Sequence, residues 1–481
     1  MSTSIEDRSL RKQTGGIRRL DAAHAREIVA LFTRPVVGTD VNLTFDADDS
    51  ITSATCGLVT LESCADDGDS AVVVGHYQTH LYLDGLKRLP LSVARQLVRH
   101  HGHLYLDSLT GVTDAVAATL ATHRSGGLSL NNLRRLSPVA ARVLGQHERE
   151  LSLGVRRLAL DRAVWLAHHA NDLHLPKLAG LSPGAAAALS RHRGDLSLDG
   201  LERLSRRVAT HLARHGGKLH LHGLTRLSDG AAEAFGQRAG YLCLRSVKQL
   251  SPRQARHLAN HRGPLFLSSL EVDDDVAACL GRHEGALAIR VTDDIPIERL
   301  AALAQHRGTL DISGLERLDE RRAAVLAAQP CYHGIKGLSG LYLSTVREVT
   351  PTVAAILATH EAGELALTEI RLVTEDVARA LVKHPLLALD RVTSVTDRVA
   401  AILATHAGAS LSLRSLEHVS PSGLAKLREN VGIVLPPRFR KPTAPGTAAA
   451  AAAPASTGLT KQEVIAAIER IAGVQLPGGA L

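Results

Sequence analysis

The stretch LSLDGLERLSRRVATHLARHGG, residues Leu196–Gly217, changes its period halfway along. Leu196-Ser197-Leu198 alternates apolar and polar, the period of a strand with one face buried. After Ser205 the apolar residues recur as Val208, Ala209, Leu212 and Ala213, which is one face of a helix. Ser205 stands where an N-cap belongs, its hydroxyl placed to accept from an amide of the first turn. A strand and a helix therefore share 22 residues. Neither can bury its apolar side alone, so further copies are required.

The copies are present. An L-x-L triplet begins at Leu81, Leu104, Leu128, Leu151, Leu173, Leu196, Leu219, Leu242, Leu265, Leu287, Leu310, Leu341, Leu365, Leu387 and Leu411, the tenth and eleventh ending in Ile. Successive starts lie 22–24 residues apart, except for a step of 31 between Leu310 and Leu341. Val59-Thr60-Leu61 reads as a further, degenerate unit, and Ile433-Val434-Leu435 closes the series. Thr113, Ser137, Ser182, Ser228, Ser251, Thr350, Thr374, Thr396 and Ser420 repeat the N-cap of Ser205. Pro138, Pro183, Pro252, Pro351 and Pro421 follow at the first helical position, where a missing N–H costs nothing. Gly after the helix reads as a C-terminal stop. Strands separated by helices of this length must be parallel neighbours.

This pattern resembles the leucine-rich-repeat family over roughly residues 59–435, in the bacterial-type helical variant of the repeat. The resemblance implies a right-handed α/β solenoid, a horseshoe with a parallel β-sheet on its concave side and helices on its convex side. In one respect the chain departs from the family, which places Asn or Cys three residues past the triplet's last Leu to satisfy the turn backbone. Here that place holds Leu86, Leu109, Leu133, Leu178, Leu201, Leu224, Val247 and Leu270. The turn amides need other partners. A recurrent His (His100, His123, His147, His169, His192, His215, His261, His283, His306, His360, His384, His406) falls at the helix C-terminus. Its ring is suited to an orphan carbonyl there.

Composition agrees with thin repeated layers: 45% hydrophobic residues but 2% aromatic, with one Trp and one Met in 481 residues. The charge, 56 − 48 = +8, is a mild basic bias. Five Cys without a CxxC read as reduced thiols. The N-terminus has no apolar signal core, and no run of 18 apolar residues spans a membrane. A cytoplasmic protein without a membrane partner is the expectation. Residues 1–58 read as a tail and N-terminal cap, 59–435 as about 16 repeats, and 436–458 as an Ala/Pro-rich linker. In 459–481 a capping box, Thr460 to Glu463, opens a short amphipathic helix over 459–473. That helix either covers the chain's own end or docks into a groove on another protein.

With the triplet Leu residues turned inward, the residues before, between and after them face the open side of the sheet. His80, Tyr82, Asp84, His103, Tyr105, Asp107, His174, Asp195, Asp199, His220, His222, Tyr241, Arg245, Phe266 and Tyr342 are the candidate partner-binding residues of that concave face. Tyr and Arg are the commonest anchors at protein interfaces. Neighbouring His and Asp on this face also raise a metal site, though no ligand spacing supports one.

Enzyme signatures are weak. No Lys is followed by Ser or Thr, so a Walker A loop is absent, and there is no HExxH. Gly180-Leu181-Ser182-Pro183-Gly184 matches GxSxG, but Ser182 occupies an N-cap slot. Arg134-Arg135, Arg156-Arg157 and Arg206-Arg207 raise nucleic-acid binding, without the interleaved aromatics it favours. The sequence expectation is thus a non-catalytic protein-binding scaffold with no catalytic residue, metal or cofactor. Nucleic-acid binding is the alternative, and a metal-dependent or enzymatic protein ranks behind it.

Overall fold

The computed structural model describes residues 80–83, 86–330, 339–361 and 363–439, together with Arg26 and the backbone of 39–45 and 51–58. Asp84, the degenerate unit at Val59, most of the expected linker and the helix expected over 459–473 lie outside the described residues. Near the N-terminus, β1 (Thr39–Phe45) and β2 (Ile51–Leu58) form an antiparallel pair. They fall within the tail and cap expected over residues 1–58.

The described chain falls into two compact units. The first runs to Leu201 and includes His215–Lys218, and the second holds Glu202–Arg214 and the described residues from Leu219 on. In the first, β3 (Leu81–Tyr82), β4 (Leu104–Tyr105), β5 (Leu128–Leu130), β6 (Leu151–Leu153), β7 (Leu173–His174) and β8 (Leu196–Ser197) pair in parallel, each with the next. The second carries β9 (Leu219–His220), β10 (Leu242–Cys243), β11 (Leu265–Leu267), β12 (Leu287–Arg290), β13 (Thr309–Ser313), β14 (Ser339–Leu343), β15 (Gly363–Ala366), β16 (Leu386–Ala388), β17 (Ser410–Ser412) and β18 (Ile433–Val434). These too are parallel and consecutive. Every triplet found by spacing among the described residues is a strand, and within each unit the first Leu of one strand faces the first apolar residue of the next triplet. The step of 31 keeps that register, with Leu310 opposite Leu341.

Between strands run short helices such as Asp114–Leu120, Arg206–Leu212 and Pro252–Ala259. All ten expected hydroxyl caps accept from the amide three residues on, and Ser251 with Gln254 closes a full capping box. Asp273 and Asp319 do the same work in two further units. The core is the triplet Leu residues against the helix faces: Val116, Ala117 and Leu120 are buried with Leu104, Leu106 and Leu109 in the first unit. This is an α/β solenoid, in which each layer is finished by its neighbours.

Three backbone problems have distinct solutions. After many of the strands, the amide of the residue in the family's Asn place bonds the carbonyl of the triplet's last residue, as in Leu109 N–H to Leu106 O at 3.1 Å and Val247 N–H to Leu244 O at 3.1 Å. A tight turn thus satisfies the amide, and an apolar side chain is left free for the core. The Gly residues following the helix do not act as left-handed stops, because the helices end on residues in right-handed conformation such as Ala121 and Ala213. They are needed because successive layers approach too closely for a Cβ. One added at Gly126 would lie 2.0 Å from Gly102 O, and one at Gly285 2.2 Å from Gly263 O.

The third solution is the recurrent His, fully buried in every unit where it occurs. His123 sets Nε2 2.8 Å from Gly102 O and Nδ1 3.2 Å from Val98 O, and His261 faces Gly240 O and Phe235 O in the same way. The carbonyls belong to the preceding unit, not to the ring's own helix, so the His is a cross-link between layers. Successive rings stack at 5.5–6.3 Å with planes 2–12° apart. Where His is missing, another N–H donor stands in. Arg238 reaches Ala213 O and Tyr241 O, Gln329 reaches His306 O and Gly308 O, and Asn430 reaches Ala404 O and His406 O.

At the C-terminal end the fold continues past the expected boundary at 435. A 3-10 turn, Pro437–Phe439, is held by Arg428 Nε to Phe439 O at 2.8 Å and by Arg438 to Leu416 O at 2.9 Å.

Candidate functional site

Strand alternation decides which side chains reach the face of the sheet away from the helices. Leu81 and Leu83 are buried whereas Tyr82 between them is half-buried, and the same holds for Tyr105 and Phe266. The register inferred from sequence is therefore the one observed. On the same face, small residues behave differently: Ser129, Ser197 and Cys243 are covered by larger neighbours.

In the first unit, Tyr82 and Tyr105 are paired across β3 and β4 and stack at 4.4 Å with planes 12° apart. His80 and His103 meet edge to face at 4.8 Å beside them. Offset and edge-on pairs of this kind are favourable beyond the area they cover. Burial, then the neighbouring His80, holds the His103 imidazole below its ordinary range. Further along, the candidates are tied into a polar lattice. Asp107 accepts from Ser129 Oγ at 2.6 Å and Asn131 N–H at 2.8 Å. His174 pairs with Glu150 at 3.2 Å. Burial opposes the charged ring of His174, but the Glu150 bond outweighs it and raises the pKa. Asp195 meets Lys218 Nζ at 2.8 Å, and Asp199 accepts from Ser197 Oγ at 2.7 Å. These three acids are structural ties as much as surface.

The second unit gathers a different set. His220, on β9, lies directly opposite Cys243 on β10, and His222 is two residues further along the same face. His222 Nε2 is 3.1 Å from Cys243 Sγ. Burial pushes the thiol up, but bonds from His220 and His222 overcome this and bring it to about 6. Tyr241 packs at 5.1 Å from His220 and 4.6 Å from Phe266. Arg245 is exposed beyond them. Tyr342 is engaged by Glu364 across the next strand, which together with burial raises its phenol.

The grouping of His220 and His222 with Cys243 was not read from the sequence, where only neighbouring His and Asp raised a metal site. The signal was available, because the 23-residue step sets Leu219 opposite Leu242 and so His220 opposite Cys243. Also missed is an apolar patch on the helices of the first unit: Val139, Leu160, Val164 and Trp165 are exposed, with the Arg142 guanidinium 6.0 Å over the Trp165 ring. Ser182 caps its helix, accepting from Ala185 N–H at 3.2 Å, so GxSxG marks no nucleophile. No described helix is long and apolar enough to cross a membrane.

A parallel sheet with a helix after each strand, renewed every 22–24 residues, defines a solenoid repeat protein. By its Leu triplets and their register the chain has the repeat pattern that leucine-rich-repeat solenoids share. No family model matches the chain, and no curated protein matches it. Among solved structures it is similar to a leucine-rich-repeat protein of Leptospira interrogans at 16% identity and a TM-score of 0.36, covering 74% of this chain and 94% of that one. An internalin of Listeria monocytogenes gives 16% and 0.34 over 68% of this chain and 89% of its own. Toll in its complex with Spätzle, from Drosophila, gives 13% and 0.36 over 69% and 46%. At these scores the class rests on the chain's own repeat and register.

Proposed function

We propose that the protein is a non-catalytic scaffold that binds another protein on the open face of its sheet. The observation that carries this reading is the stacked Tyr82–Tyr105 pair with His80 and His103 alongside, large side chains standing half-exposed in a chain otherwise nearly devoid of aromatics. Rings already held by one another lose little freedom on binding. Tyr241 and Phe266 offer a second such pair. Nucleic acid is the weaker reading, because the Arg pairs sit in turns and helices, and Arg206 is matched by Glu233 at 3.1 Å. A cytoplasmic setting fits a Cys243 thiol kept reduced.

The test is quantitative capture from extracts of the native cell with wild type, Y82A/Y105A and Y241A/F266A, each checked for an unchanged far-UV spectrum. Each lost anchor removes roughly 1–2 kcal/mol, so a paired variant should capture its partners at least about tenfold more weakly. Partners kept by both variants but lost by L160A/W165A would move docking to the helical face. Salt-sensitive binding to random DNA at equal strength would favour the nucleic-acid reading.

A further inference from the structure

The His220–His222–Cys243 cluster is not explained by packing. A thiol at the floor of a sheet face is ordinarily filled over by aliphatic side chains, and this one is roofed by two imidazoles. The arrangement follows from strand geometry alone. His220 ends β9 and His222 lies two residues on, so alternation puts both on one face, with Leu221 turned into the core between them. Cys243 is the residue of β10 that faces His220 across the ladder. One ligand atom from each of the three lies within 4.8 Å of the others. Among the described residues this is the one set of three such groups that converges.

We propose that His220, His222 and Cys243 form a binding site for a thiophilic divalent cation of the zinc class, with a fourth position open on the solvent side. The donor set selects the ion. Magnesium and calcium take oxygen ligands, which the cluster does not supply. One thiolate and two imidazoles suit zinc, and three protein ligands with an open fourth position is a recognised zinc arrangement. Bonds of about 2.0–2.3 Å in a tetrahedron set the ligand atoms about 3.3–3.5 Å apart. His222 Nε2 and Cys243 Sγ, at 3.1 Å, already lie near that range, and the His220 ligand atom is within 4.8 Å of both. The scaffold helps, since Cys243 is fixed between buried Leu242 and Leu244 and the His residues flank buried Leu221. The Tyr241 ring beside His220 and Phe266 opposite Cys243 wall the cluster on the β11 side. The inference is independent of the scaffold reading, because it uses none of the first unit's aromatics.

The experiment uses full-length protein, reduced and free of any affinity tag, titrated with Co²⁺ as a coloured probe and then with Zn²⁺. The expected result is one Co²⁺ per chain with a thiolate-to-cobalt charge-transfer band, bleached by one equivalent of Zn²⁺. C243S should abolish the band, and C279S should keep it. H220Q and H222Q should each weaken binding by at least about tenfold. Far-UV spectra and thermal midpoints in the absence of metal establish that each variant is folded. No charge-transfer band in the reduced wild type, a band that survives C243S, or affinity indifferent to both His variants would overturn the assignment.

Discussion

At the scale of single residues, the buried His column replaces the family's buried Asn ladder, but at another place in the repeat and by another bond. The donor must reach the carbonyls of the unit before it, which is why Gln329 and Asn430 substitute where His is absent. His123→Leu should therefore cost about 1–3 kcal/mol by stranding the buried carbonyl to which the neutral ring donates, Gly102 O at 2.8 Å from Nε2 being the shorter contact. His123→Gln should cost clearly less, because its amide still donates. Chemical denaturation of the pair checks this, and equal losses would show that ring packing matters more than the bonds. The column also predicts acid sensitivity. Burial first, and in several cases a neighbouring ladder His, holds His147, His169, His306, His360 and His384 near 4 and His283 near 3, against an ordinary 6.5. Below 6.5 the unfolded chain takes up protons that the folded chain refuses, so stability falls as pH falls. The loss begins near 6.5 and continues down to about 4, with His283 extending it to about 3. Thermal midpoints measured from about pH 7 down to about pH 5 should drop steeply, with proton uptake on unfolding; a flat profile would mean that the rings are charged in the fold.

At the scale of elements, the spacing of Leu and of Ser or Thr was enough to place strands, helices and caps, because each is set by local chemistry that recurs. What crosses from one unit to the next was harder to read. The glycines show this: a Gly after a helix is read locally as a left-handed stop, whereas its cause is a carbonyl one layer away. Gly285→Ala should thus destabilise by more than the usual Gly-to-Ala range, with Gly263 O 2.2 Å from the new methyl, while Gly111→Ala meets nothing within 4 Å and should be neutral. Comparable thermal midpoints for the two would refute the close-approach account. The candidate face was legible to the same extent. Alternation gave the correct side for Tyr82, Tyr105 and Phe266. That Asp107, His174 and Asp195 are tied to Asn131, Glu150 and Lys218 depends on side-chain reach that no spacing encodes. His220 and Cys243 are an intermediate case, since their meeting follows from register but only once strands 23 residues apart are set side by side.

At the scale of the molecule, a layer in such a stack is stabilised mainly by its neighbours, so the consequence of a defect depends on where along the stack it falls. Leu242 and Leu427 are both fully buried Leu residues, one within β10 and one in the helix Pro421–Glu429 of the last described unit. Truncating either to Ala should remove roughly 2–5 kcal/mol of local packing. Around Leu242 there are layers on both sides, β9 and β11, and unfolding locally would forfeit both interfaces. The cheaper response is to bear the defect, so Leu242→Ala should lower the main unfolding transition by its full cost. In the last unit only β17 lies behind β18, with the Pro437–Phe439 turn beyond. There the unit can detach, forfeiting one interface, and the rest of the solenoid keeps its stability. Leu427→Ala should accordingly leave the main transition nearly in place while the Leu413 amide, bonded to Val434 O at 2.9 Å, loses hydrogen-exchange protection. The Leu242 amide, bonded to Pro264 O at 2.8 Å, should keep its own. If Leu427→Ala instead lowered the whole transition and deprotected both amides together, the repeats of the second unit would unfold as one block, and nearest-neighbour coupling would not describe them.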